Sequence, residues 1–392
     1  MKVNGACRSW AWCVSSPIGV SATDEGRVET RRSAGLLIAA LLSVPLGVVA
    51  LHGLAQDPDF VERWYSDRVF VAVRSAQLSV SRLFPCSLSE ILVGLVVAWF
   101  VARSVRCLRL FCARKVSVRE IIFGALHRAL VGGAGLWVAF LLLWGFQHAR
   151  RPYAFHSGLE PRPISTQDLR ALSFYLVGEC NRWRRQFDLD DCALLPGEGG
   201  VDARILDAYE KLGRRVPALR GGQPLLRRAI LSPLLSHLGI TGIYSPFTGE
   251  AHVNPEVSPW IQPFAACHEL AHQKGFARED EANFIAWQVC RLSEDPALCY
   301  SASFVAMSHA LSVLGQDFPA AAEELFLLLD AAVLADLEEN RRFWASKDSA
   351  LVGLAQSVND TYLKTAGSPA GARSYGRMLV LMVAERERGV GY

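Results

Sequence analysis

Three stretches of this 392-residue chain stay apolar for longer than a water-facing helix can. Residues 33–55 and 129–149 contain no Asp, Glu, Lys or Arg, and residues 83–102 contain only Glu90. About 20 residues of helix cross a hydrocarbon core, and helices of soluble cores rarely remain uncharged over that length. The pattern therefore predicts three transmembrane helices rather than buried ones. The first run begins too late for a cleaved signal peptide, and no small-residue cleavage site accompanies it.

The pattern changes after residue 149. Residues 150–165 (RRPYAFHSGLEPRPIS) are Pro-rich and predict an extended linker. Residues 166–185 and Asp202 to Leu212 read as helices. Residues 239–254 place β-branched and aromatic positions around a Pro-Phe-Thr-Gly turn, which predicts a β-hairpin. From about residue 279 onward the period is helical almost throughout. The expected organisation is a disordered cytoplasmic tail (1–32), a membrane domain (33–149), the linker, and a folded domain over 166–392. The expected fold is mainly α. Three N-terminal transmembrane helices precede an α-rich α+β domain with a small hairpin or sheet.

Composition agrees, with 51% hydrophobic and 20% charged residues. Residues 103–128 hold seven Lys/Arg against one acid, Glu120, whereas residues 56–82 hold four of each sign. The excess of positive charge predicts that the tail and the second loop are cytoplasmic and that everything after about residue 150 lies outside. Arg150 and Arg151, on the exit side, run against that rule. From Arg150 onward there are 25 basic and 29 acidic residues, a near-neutral balance that gives no sign of a nucleic-acid partner, and none is expected. Of the ten cysteines, Cys290 with Cys299, or Cys180 with Cys192, could pair in an exported domain; reduced buried thiols are the alternative.

The chemistry concentrates in His268-Glu269-Leu270-Ala271-His272, an HExxH pentapeptide. Four residues apart on a helix, both imidazoles share one face and can reach one metal ion. Glu269 stands about 100° round the helix, beside them, placed to take a proton from an activated water. Pro263 suits the first turn of that helix, and Gly275 suits its termination. Glu279, Asp280 and Glu281 would then open a second helix, where acids are favoured. A zinc site with three protein ligands needs one of them. Glu279 is the candidate, with Asn283 behind it. Glu281 is the rival, about 200° away on the same helix, so both cannot face one ion.

The stretch Glu279 to Asn283 (ExxAN) resembles the gluzincins, HExxH peptidases whose third ligand is a glutamate on a following helix. That resemblance implies a ligand role for Glu279. Gly275 is in register with the metzincin motif, but Arg278 stands where that motif has its last histidine. A broader resemblance runs from about residue 40 to 385, to a family of bacterial multi-pass membrane proteins of unassigned function. It is carried by Val61-Glu62-Arg63-Trp64-Tyr65-Ser66, Pro85 to Glu90, Trp144-Gly145, Gly242-Ile243-Tyr244, the His268–Phe284 block, Tyr362-Leu363-Lys364 and Ser374-Tyr375-Gly376. It implies three spans, a zincin-like domain and a place in the bacterial inner membrane.

The expectation is a membrane-anchored zinc metallopeptidase acting on a peptide or protein. One Zn²⁺ per chain would be held by His268, His272 and Glu279, with Glu269 as general base. The oxyanion donor would come from Tyr375, Tyr362, Arg373 or Tyr244, with Tyr375 carried forward as the catalytic candidate. The alternative is a non-catalytic zinc-binding sensor or scaffold. A third reading, an HExxH helix within the membrane, conflicts with the charges around the motif. The oligomeric state is left open.

Overall fold

A computed structural model describes residues 22–114, 117–186, 188, 201–347, 353 and 375–389. The chain is mainly helical, with one small mixed sheet. Helix α1 (Ala22–Ala55) begins inside the stretch expected to be a disordered tail. After a short turn the chain stays helical: a π-helical segment, Val61–Phe70, runs directly into α2 (Val71–Ser81). Helices α3 (Leu88–Cys112) and α4 (Val118–Leu143) follow. Both start on serine caps, Ser87 and Ser117, each accepting from a backbone N–H in the first turn.

Among the described residues, four helices are long and apolar enough to cross a membrane. The fourth is α11 (Pro296–Asp317), which the sequence did not single out. Burial separates it from the others. In α11, 67% of the apolar window is buried within the protein, against 17%, 0% and 11% in α1, α3 and α4. The apolar surface of α11 is consumed by protein, while most of that of α1, α3 and α4 stays uncovered by the described residues, beyond a contact between α1 and α4 at Gly47, Trp137 and Leu141.

The folded domain comprises α5 (Tyr153–Ser157), α6 (Thr166–Arg184), α7 (Ala203–Arg215), β1 (Leu226–Arg228), α8 (Ser232–His237), β2 (Gly242–Tyr244), β3 (Ala251–Val253), α9 (Gln262–Gln273), α10 (Glu279–Leu292), α11, α12 (Pro319–Phe326), α13 (Ala331–Lys347) and α14 (Tyr375–Glu387). Trp260, Trp287, Tyr300 and Phe304 are fully buried in its core. The hairpin forms where the turn residues place it, and β1 adds in parallel on the far side, giving the order β1-β3-β2.

The sheet has two occupied faces. Gly242 turns its α-carbon to Glu269 of α9. The opposite face carries Arg227, His252 and Ile243, which are cross-strand partners and so project together. His252 Nε2 lies 2.8 Å from Ser87 Oγ, and Arg227 donates to the carbonyls of Ser81 and Phe84, both at 2.9 Å. Glu250, just before β3, accepts from the Leu88 and Ser89 amides at the start of α3. The sheet is thus sandwiched between α9 and the connection that enters α3.

The first connection packs on the domain: Arg74 Nη1 donates to Gln273 O (3.1 Å), Gln77 to Pro246 O (2.7 Å) and Ser81 to Thr248 O (2.9 Å). Two expected boundaries differ. The third apolar stretch is helical only to Leu143, and Gly145–Ala149 forms a 3-10 turn packed into the domain. The 150–165 segment is not an extended tether at its start. Arg150 and Tyr153 are buried, and Arg150 pairs with Glu62 and donates to Gly275 O at 3.0 Å. Arg151 pairs with Asp59. The two arginines that break the charge rule are therefore neutralised by acids of the first connection.

Candidate metal centre

Helix α9 has Pro263 in its first turn, and ten of its twelve residues are buried. It ends where Gly275 takes a φ of +93°, a left-handed conformation open to glycine. A Cβ there would sit 2.8 Å from both Gln147 Nε2 and Phe70 Cε1, so the turn also admits close approach by the 61–70 and 145–149 segments. The chain reverses and α10 begins at Glu279, with three acids in its first turn. Gln273 holds the end of α9 to the sheet: its Nε2 donates to Leu225 O (3.0 Å) and Gly249 O (2.7 Å).

His268, His272 and Glu279 converge, with one donor atom from each lying within 4.8 Å of the others. His268 Nε2 is 3.2 Å from Glu279 Oε2, and His272 Nε2 is 3.5 Å from Oε1. Two ligand atoms about 2.0–2.1 Å from one tetrahedral ion stand roughly 3.3 Å apart. The donor set and its spacing therefore fit a divalent cation such as zinc. His272 Nδ1 lies 2.7 Å from Phe276 O. A proton on Nδ1, donated to that carbonyl, leaves Nε2 as the free donor atom aimed at Glu279.

Without an ion, the three groups hold one another. Burial opposes charge on His272, but the Glu279 carboxylate outweighs it and pushes the imidazole up to about 9. Burial likewise opposes ionisation of Glu279, and the two imidazoles hold its carboxyl well below the usual range. Glu269 is 4% exposed. Its burial pushes the carboxyl up to about 7, against the opposite pull of His268 and His272. That is the range in which a general base also returns its proton.

Glu281 does not join the cluster. Its Oε1 accepts from the Tyr153 amide (2.9 Å) and from Arg278 Nη1 (2.8 Å), so it anchors the start of α5. Asn283 is buried, but its Nδ2 has no partner among the described residues. His252 stands apart from the cluster, with its Nε2 on Ser87 and its buried Nδ1 without a partner among the described residues. Glu90, an acid within the second apolar stretch, accepts from Leu231 N at 2.7 Å and ties the first turn of α3 to the domain. Tyr244 packs on Trp144 with ring centroids 4.8 Å apart; its hydroxyl is buried and has no partner among the described residues. Tyr362, Arg373 and the side chain of Tyr375 lie outside the described residues. Cys180, Cys267, Cys290 and Cys299 are free, and Cys290 Sγ lies 3.5 Å from Cys267 Sγ rather than bonded to Cys299; Cys192 lies outside the described residues.

Two contributors escaped the sequence. Trp144, the residue after α4, meets the His272 ring edge-on at 5.9 Å. Gly242 lies against the proposed base. Only the Gly242-Ile243-Tyr244 and Trp144-Gly145 resemblances pointed to either. A family described as "protein of unknown function (DUF3810)" matches residues 65–383. The chain belongs to that family. No curated protein and no solved structure matches it.

Proposed function

We propose that this DUF3810 member is a membrane-anchored, zinc-dependent peptidase, carried by one observation: HExxH and Glu279 place two imidazoles and a carboxylate at tetrahedral ligand spacing. His268, His272 and Glu279 would hold the ion, which when bound would supply Lewis acidity toward water and the scissile carbonyl. Glu269 takes the proton from the attacking water and returns it to the leaving amine. Its buried carboxyl is suited to both steps. β2 is an edge strand, so an extended peptide can pair along it and pass over Glu269. Three spans, α1, α3 and α4, anchor the domain. The turn between α3 and α4, flanked by the basic residues of 103–128 at the ends of both helices, is cytoplasmic, and the domain faces the outside of the bacterial inner membrane.

Glu269→Gln tests this reading. The purified variant should retain its ion and lose cleavage of a peptide library. Undiminished cleavage would remove Glu269 as base. Wild-type protein that carries the ion and cleaves nothing would favour a zinc-binding scaffold.

A further inference from the structure

The sheet face away from α9 is built against the entry to a span. His252 bonds Ser87, the N-cap of α3, and Glu90 in the first turn of α3 bonds Leu231 N. Around these contacts the domain exposes large apolar side chains: Ile230 (70%), Leu234 (49%), Ile243 (44%) and Phe247 (42%), with Leu231 also exposed. Ile243 is the cross-strand partner of His252 and projects from the same face. α3 itself has none of its apolar window buried. The exposed patch is therefore continuous with a lipid-facing helix, and this continuity identifies what covers it. The outer ends of two spans also bracket the site: α3 begins against β3, and α4 ends one residue before Trp144, which touches His272. On the remaining flank, Phe60 and Trp64 are exposed beside the end of α1, with Arg68 over the Trp64 ring at 4.3 Å. That is a pairing suited to the headgroup layer.

We propose that the Ile230–Leu234 segment and the β2–β3 hairpin rest in the outer headgroup layer, so that the His268–His272–Glu279 site works on juxtamembrane segments of membrane-anchored polypeptides. The substrate clause rests on the peptidase reading; the placement does not. The headgroup layer is about 5–8 Å deep on each side, and an extended chain advances about 3.3 Å per residue. A polypeptide leaving the hydrocarbon thus crosses that layer and reaches β2 within roughly two to three residues. A peptide in bulk water has no such positioning.

The test uses full-length protein in phospholipid vesicles. Nitroxides are placed at Ile243→Cys and Phe247→Cys, in a background whose cysteines outside the buried core are Ser. Their collision rates with lipid-soluble oxygen and a water-soluble nickel chelate report depth. Both labels should lie at headgroup depth. Labels in free water, or shielded from both reagents as between two copies of the chain, would overturn the placement and the substrate class with it. In parallel, a degenerate ten-residue segment is joined to a membrane helix through a spacer of about 5 or about 30 residues, or left free. The short spacer should be cleaved at least about 10-fold faster than either other form. Equal rates would overturn the substrate class. Labels at headgroup depth with no form cleaved by ion-loaded protein would overturn the peptidase reading and the substrate class together, leaving the placement standing.

Discussion

Gly242 and Glu269 touch through a space that no other residue could share. A Cβ at 242 would lie 2.7 Å from Glu269 Cγ and Oε1, and 2.9 Å from His252 O. The edge strand therefore passes directly over the proposed base. Gly242→Ala must displace either the strand or the carboxylate. Displacement on the order of 1 Å costs about 100-fold in rate. The variant should keep its ion and lose about that much in kcat/KM; unchanged turnover would show that Glu269 does not act from this position.

The ligand assignment separates two acids two residues apart. Glu279→Ala should abolish stoichiometric metal in the purified protein, as should His268→Ala. Glu281→Gln should retain the metal, because Glu281 bonds Tyr153 N and Arg278 instead. It should still destabilise the fold by roughly 1–3 kcal/mol, the usual cost of disturbing buried polar partners. Elemental analysis and thermal melts of the same preparations check both halves.

Gly275→Ala should weaken the protein for two additive reasons. Its φ of +93° is strained for any residue with a Cβ, and that Cβ would meet Gln147 and Phe70. A loss of about 1–3 kcal/mol follows, read as a lower Tm in detergent. An unchanged Tm would mean that the 61–70 and 145–149 segments do not pack here.

The Glu62–Arg150 pair joins the first connection to the domain. Burial disfavours the Glu62 carboxylate, but bonds from His156 and Arg150 outweigh it and bring the group down to about 2. A depressed folded-state value stabilises the protein above the unfolded value, near 4.5, and that stability is lost as pH falls toward 2. Wild type should therefore melt above Glu62→Gln at pH 7, and the gap should close between about pH 5 and 2. A gap independent of pH would assign the difference to packing.

The local signals were short-range and therefore legible. HExxH needs only helical spacing, and Gly275 with the acids at 279–281 marks one helix ending and another starting. The hairpin of 239–254 announced itself by its turn residues. Helical phase also kept Glu279 and Glu281 from sharing one site, since about 200° of rotation prevents both from facing one ion. The α11 stretch could not be classified in this way. Its composition suits a membrane, and only the helices packed around it make it a core.

The sequence by itself determined the apolar runs, the helix boundaries near the motif and the residues able to ligate an ion, because these depend on neighbours within a few positions. Tertiary structure decided what those pieces meet. It turned the first loop and the Arg150 segment into walls of the domain, set Trp144 against His272, and slid a glycine strand over Glu269. Such contacts join positions roughly 30 to 200 apart in the chain. They depend on shape and burial between whole elements, which no local pattern of residues encodes.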